Sequence, residues 1–188
     1  MENLRIGLNN LLAKIGYKIT KADPPQTMGR RTWDNFTMEQ HRHLIKGKVL
    51  DAGSGDSGWS REQFGAQCDL TTFDQFEGKN INVSGDLSKL SSYFPAGSFD
   101  VVICMEVMEH VAQPFVVIEE IKKVLRPGGI LLATTPFEHG LHGEDYGDYF
   151  RYTRQGWRQL LSNFSEVKDI QWLGPELTPK QYFVYAIK

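Results

Sequence analysis

Two apolar periodicities alternate along this chain. Leu4, Leu8, Leu11, Leu12 and Ile15 fall on one face of a helix, with Arg5, Asn9 and Lys14 pointing elsewhere. Thr20 to Arg31 contains Asp23-Pro24-Pro25 and reads as an irregular connector, because proline disfavours helix in the residue before it. Asp34 or Asn35 is expected to cap a second helix running to about Ile45, with Phe36, Gln40, His43 and Leu44 at helical spacing. Apolar runs then predict strands ending at Asp51, spanning Cys68 to Asp74, around Ile81 to Val83, and from Ser98 to Met105. The run from Ser98 is apolar throughout, as expected at the centre of a parallel sheet. Further strands are predicted over Ile130 to Thr135, Val167 to Leu173 and Tyr182 to Ile187. Between them lie a short helix from Trp59 to Phe64, one running into Leu125-Arg126-Pro127-Gly128-Gly129, and one from Arg154 to Phe164. Gly128 and Gly129 are expected to end their helix, and Thr153 to cap the last one, which turns Trp157, Leu160 and Leu161 inward.

At 188 residues the chain is the size of one domain, and its 40% hydrophobic and 23% charged residues are ordinary for a globular protein. A formal charge of −2 gives no electrostatic footprint for nucleic acid, so no nucleic-acid partner is expected. Cys68 and Cys104 are far apart, without metal-ligand spacing, and read as buried thiols in a reducing compartment. Met1 to Lys18 has no apolar run long enough for a signal peptide or a membrane span, so a cytoplasmic address and no stable membrane insertion are expected. The first helix is read as packing on the domain or on a second subunit of a homodimer, with contact to a membrane surface as the alternative.

The densest chemical signal is Lys48-Val49-Leu50-Asp51-Ala52-Gly53-Ser54-Gly55-Asp56-Ser57-Gly58. An apolar strand ends in an acid and breaks into a glycine-rich turn before a helix, which is where open α/β sheets bind nucleotide-like ligands. Gly53 is expected to lie bare beside the ligand. Gly53-x-Gly55-x-x-Gly58 is also a dinucleotide fingerprint, so the loop alone leaves a nicotinamide cofactor open. Asp74, nineteen residues after Gly55 at the end of the second predicted strand, is placed to accept from ribose hydroxyls of a nucleoside cofactor without naming the nucleoside.

Asp51, Gly53 and Gly55 resemble the first motif of class I S-adenosylmethionine-dependent methyltransferases, with Ser57 where a third glycine is usual. Gly85-Asp86-Leu87 resembles the motif in which an aspartate meets the adenine amino group and the next backbone N–H a ring nitrogen. Phe99-Asp100-Val101-Val102, then Glu109-His110-Val111, then Leu125-Arg126-Pro127-Gly128-Gly129 resemble the small-molecule branch of that family. Nicotinamide dehydrogenases do not have this series. The resemblance spans roughly Lys48 to the end. It implies a Rossmann-like three-layer α/β/α sandwich with a mostly parallel seven-stranded sheet in the order 3-2-1-4-5-7-6. Residues 48–188 would form the S-adenosylmethionine-binding domain, with residues 1–47 a helical segment and cofactor cover. Trp33, Phe36 and Met38 would line the covered end of the pocket or pack into the core. Met105 and Glu106 would sit beside the adenosine.

Pro136 to Thr153 is too polar for core and too dense in His, Asp and Tyr for a passive linker. Asp148-Tyr149-Phe150-Arg151-Tyr152-Thr153 resembles a signature of small bacterial methyltransferases of polysaccharide and natural-product pathways. The acceptor is expected under this loop, with His142 the candidate base, His139 its alternative, and Asp148 and Arg151 touching substrate or bracing the loop as an ion pair. The sulfonium is already an activated electrophile, so alignment and exclusion of water are the main demands, and a base helps only where a hydroxyl must lose a proton. No metal-ligand set is evident. The expected function is methyl transfer from S-adenosylmethionine to a small acceptor such as a sugar hydroxyl. A non-catalytic S-adenosylmethionine-binding module, an NAD-dependent oxidoreductase and a macromolecule methyltransferase are the rival readings.

Overall fold

The computed structural model describes residues 29–188; the expected N-terminal amphipathic helix lies outside them. Helix α1 (Arg30–His41) leads through a 3-10 turn into β1 (Lys48–Ala52). Then come α2 (Trp59–Phe64), β2 (Asp69–Asp74), β3 (Val83–Ser84), α3 (Leu90–Tyr93), β4 (Phe99–Met105) and α4 (Pro114–Val124). The chain closes with β5 (Leu125–Pro136), α5 (Arg154–Leu160), β6 (Glu166–Leu173) and β7 (Gln181–Ile187). The strands make one seven-stranded sheet ordered β3-β2-β1-β4-β5-β7-β6. β7 runs antiparallel to both β5 and β6, and the other pairings are parallel.

Strand side chains alternate between the two faces of the sheet, so each central strand feeds two cores. Leu50, Val102, Cys104, Leu131, Ala133 and Val184 join the core that also holds Val117, Ile121 and Trp157. Val49, Val101, Ile103, Leu132 and Phe183 join the one that holds Trp33, Met38 and Phe64. Burial on both faces is why β4 is apolar almost end to end. Trp33 and Met38 are therefore core residues, fully buried against the sheet, rather than pocket lining.

Several local expectations change. Helix α1 starts at Arg30, capped by Gly29 without a side-chain bond, so Asp34 is a buried mid-helix residue, and the helix ends at His41. Gly128 and Gly129 do not end α4, which stops at Val124. They belong to a bulge in β5: Phe99 pairs with Leu125 but Val101 already pairs with Ile130, and Gly128 takes φ +72°. Helix α5 stops at Leu160, short of Phe164, and Cys68 lies just ahead of β2. Thr153 caps α5 as expected, its hydroxyl accepting from Gly156 N–H at 3.0 Å.

Candidate functional site

A cleft of about 640 Å³ opens at the carboxyl ends of the parallel strands. β1 delivers Gly53 and Gly55 to it, β2 delivers Asp74, the turn after β3 delivers Asp86 and Leu87, and β4 delivers Glu106. Sequence reasoning named all six, and the fold brings them together.

Each is held for a different reason. Gly55, at φ +58°, would direct a Cβ into open space, so the bare backbone there faces the cleft. Gly53, at φ +83°, differs: a Cβ would fall 2.3 Å from Cγ2 of Val107, itself a cleft-lining residue, so its place is fixed by packing against that side chain. The Asp74 carboxylate accepts from Gly55 N–H at 2.9 Å and Phe76 N–H at 3.0 Å, which leaves lone pairs on both oxygens. Asp86 caps the 3-10 turn that follows it, accepting from Ser88 N–H and Oγ–H, and these bonds hold its carboxyl below the usual range.

Asp51 lies beneath the loop, 4% exposed, and does not line the cleft. Burial pushes its carboxyl up to about 6, against a hydrogen bond from Ser60. Met105 packs into the α1-side core. Glu106 has φ 56°, the single positive φ outside glycine among the described residues. Arg30, Thr134 Oγ1–H and Gln181 Nε2–H all donate to its carboxylate. A left-handed acidic residue at the end of the central strand is backbone strain held at a site. Gln181 also donates to Asp34, whose carboxyl burial and Glu106 push up to about 7. No residue pattern signals this Arg30–Glu106–Gln181–Asp34 network, which joins α1, β4 and β7.

The expected acceptor loop closes one end of the cleft. Tyr149 and Phe150 N–H both donate to Glu109 O, at 2.8 and 3.2 Å, and Tyr152 Oη–H donates to Met108 O at 2.9 Å. Among the described residues, the loop lines the cleft through Tyr146, beside His110. His142 stands behind them, its ring 4.7 Å from that of His110 and 4.9 Å from that of His139. Asp148 and Arg151 are joined by two hydrogen bonds, and Asp148 also accepts from His142 N–H at 3.0 Å. The guanidinium holds the Asp148 carboxyl well below the carboxylate range. The pair thus braces the loop. Glu109 is fully buried, and burial with the nearby Glu106 charge pushes its carboxyl up to about 8.

Comparison with known proteins agrees with this geometry. A family model described as a methyltransferase domain matches residues 41–173. Ubiquinone biosynthesis O-methyltransferases from Paraburkholderia phymatum and Paraburkholderia xenovorans are 28% and 31% identical over 111 residues, covering 52% of this chain and 48% of theirs. The chain thus spans about half the length of the curated relatives it matches. Among solved structures, 1,6-didemethyltoxoflavin-N1-methyltransferase from Burkholderia thailandensis, with S-adenosylhomocysteine bound, has a TM-score of 0.65 at 20% identity, covering 85% of this chain and 82% of its own. The cyclase SpnF has a TM-score of 0.66 at 15% identity, covering 96% and 90%. The Asp86–Leu87 turn and the Glu109–His110 stretch behind β4 thus sit in a matched methyltransferase domain, and the chain belongs to the class I S-adenosylmethionine-dependent methyltransferase family.

Proposed function

We propose that the chain binds S-adenosylmethionine in this cleft and transfers its methyl group to a small-molecule acceptor, a sugar or natural-product hydroxyl. The observation that supports it most is the charge of the cleft wall. Asp74, Asp86 and Glu106 line it, with no lysine or arginine among the described lining residues. Such a wall favours a cationic sulfonium and disfavours the doubly negative pyrophosphate of a nicotinamide dinucleotide. Helix α2, which would have to receive a pyrophosphate, is six residues long with Glu62 in its first turn.

The residues divide the work. The Gly55 backbone lets the ligand approach the main chain, and the free lone pairs of Asp74 accept from the ribose diol. Asp86 accepts from the adenine amino group beside the Leu87 N–H, and Glu106 backs the adenosine. The bound cofactor supplies a methyl group already activated on sulfur. Tyr146 and His110 wall the acceptor end and keep water out. A hydroxyl proton released as the methyl arrives passes to the histidines there, His110 at the wall or His142 behind it, with His139 at the edge. Asp148 and Arg151 position the loop.

Calorimetry with S-adenosylhomocysteine and with NAD tests the donor half. Heat with the former and none with the latter is expected, and tight NAD binding without S-adenosylhomocysteine binding would sink the reading. Mass-spectrometric detection of methylated product across hydroxylated metabolites tests the transfer. Cofactor binding with no product from any acceptor would favour a non-catalytic module, a reading the cyclase on the same fold keeps in view.

A further inference from the structure

Glu109, His110 and His142 bring a carboxylate oxygen and a nitrogen of each imidazole within 4.8 Å of one another. Glu109 is fully buried, and neither of its carboxylate oxygens has a hydrogen-bond partner among the described residues. Buried polar atoms are rarely left so, and one without a partner asks for an ion or water that completes it. The two histidines are oriented to match. Nδ1 of His110 lies against Gly147 O, and Nδ1 of His142 lies 3.1 Å from Gly140 O. A carbonyl only accepts, so Nδ1 is the protonated nitrogen in each ring and Nε2 keeps its lone pair. His110 Nε2 in turn stands 3.6 Å from Glu109 Oε1. The His110 Nε2 lone pair and the Glu109 carboxylate thus converge with an imidazole nitrogen of His142, and Nδ1 of each ring is held by a backbone carbonyl. That outer arrangement is the one metal-binding histidines use to set tautomer and direction.

We propose that Glu109, His110 and His142 form a site for one divalent transition-metal ion of the zinc type. Two imidazoles and one carboxylate suit zinc and its neighbours, whereas calcium and magnesium take shells of oxygen. Ligand atoms around tetrahedral zinc lie roughly 3.3 Å apart, so the set has to contract slightly. His142 can make that move, because residues 138–142 have neither helix nor strand. Three protein ligands leave a position open, and since His110 lines the cleft the open side faces the acceptor end. In the loaded protein His142 would be a ligand rather than a free base, and the ion would lower the pKa of a hydroxyl in its open position, whose proton would pass to His139, the loop imidazole left outside the set. That last role rests on the methyl-transfer reading; the metal site does not.

The test is titration of tag-free, chelator-treated protein with Zn2+ alone, followed by calorimetry, with no cofactor present. One equivalent should bind with micromolar affinity or tighter. His142→Ala and Glu109→Gln should each weaken binding at least tenfold, while His43→Ala, an exposed histidine outside the cluster, should not. His142 is only half-buried on an irregular loop, so its variant keeps the test decisive even if the buried Glu109→Gln variant fails to fold. No saturable binding by the wild type, or equal affinity in the His142→Ala variant, would overturn the site. Methyl transfer by a protein that binds no zinc would leave the cofactor reading standing without it.

Discussion

The Gly55 N–H donates to Asp74 Oδ2 at 2.9 Å, so the glycine loop after β1 and the acid at the end of β2 are one hydrogen-bonded unit. Both face the cleft, and the acid that would take the ribose also sets the backbone beside it.

Asp74→Ala should therefore act twice, removing an acceptor for the ligand and releasing the Gly55 and Phe76 amides. We expect S-adenosylhomocysteine affinity to fall by about 1.5–3 kcal/mol, the usual worth of a hydrogen bond to a charged group. Calorimetry on a variant shown to be folded checks this, and unchanged affinity would contradict the placement of the ribose.

The two cleft glycines should fail differently. Gly53→Ala drives a Cβ into Val107 and should lower thermal stability sharply, with partial recovery in the Gly53→Ala/Val107→Ala double variant. Gly55→Ala meets only open space, and should cost about 1–2 kcal/mol for its left-handed backbone while obstructing the cleft. Melting curves and binding isotherms on the same samples separate the two. Equal stability losses would refute the distinction.

Asp51 titrates against stability. Its folded-state carboxyl is raised to about 6 by burial, so between about pH 4 and 6 the unfolded chain gives up this proton before the folded one does. The group's contribution to stability is full below that window, falls as pH rises through it and is constant above. Asp51→Asn should thus gain melting temperature relative to wild type as pH goes from 4 to 7. A difference that does not change with pH would show that Asp51 ionises normally.

His142→Ala should cut turnover of the true acceptor at least tenfold and leave S-adenosylhomocysteine affinity within about twofold, because the side chain lies behind the cleft wall. Steady-state rates across pH 6–9 check it. A wild-type rate at every pH would mean that transfer rests on alignment alone.

Much of the fold was readable because central strands buried on both faces leave unbroken apolar runs. β4 and β7 begin within a residue of where Ser98-Phe99 and Tyr182 place them, and both α2 boundaries were legible. The sheet order came from resemblance to a family and not from periodicity. The start of α1 was missed because Gly29 caps it with no side-chain signal, and the reason Arg30 belongs in it, a contact with Glu106, lies 76 residues away. The bulge at residues 126–129 looked like a helix terminus because glycines serve both. The cluster of Glu109, His110 and His142 has no ligand spacing in sequence, since only folding brings the loop after β5 back against the end of β4.

The seat of that loop has a consequence for how this enzyme class diversifies. Tyr149 and Phe150 hang on Glu109 O through main-chain amides, so the attachment is indifferent to which side chains stand at 149 and 150. Apart from Tyr152, whose hydroxyl reaches Met108 O, the loop's histidines, its left-handed Gly143 and Gly147 and the Asp148–Arg151 pair, the outer surface of the loop is free to be rewritten by substitution while its frame stays docked. Libraries confined to the exposed Glu138, Leu141, Glu144 and Asp145 should accordingly change what is admitted without loosening the wall built by Asp74 and Asp86, so recognition of one substrate can drift while the grip on the other is inherited unchanged.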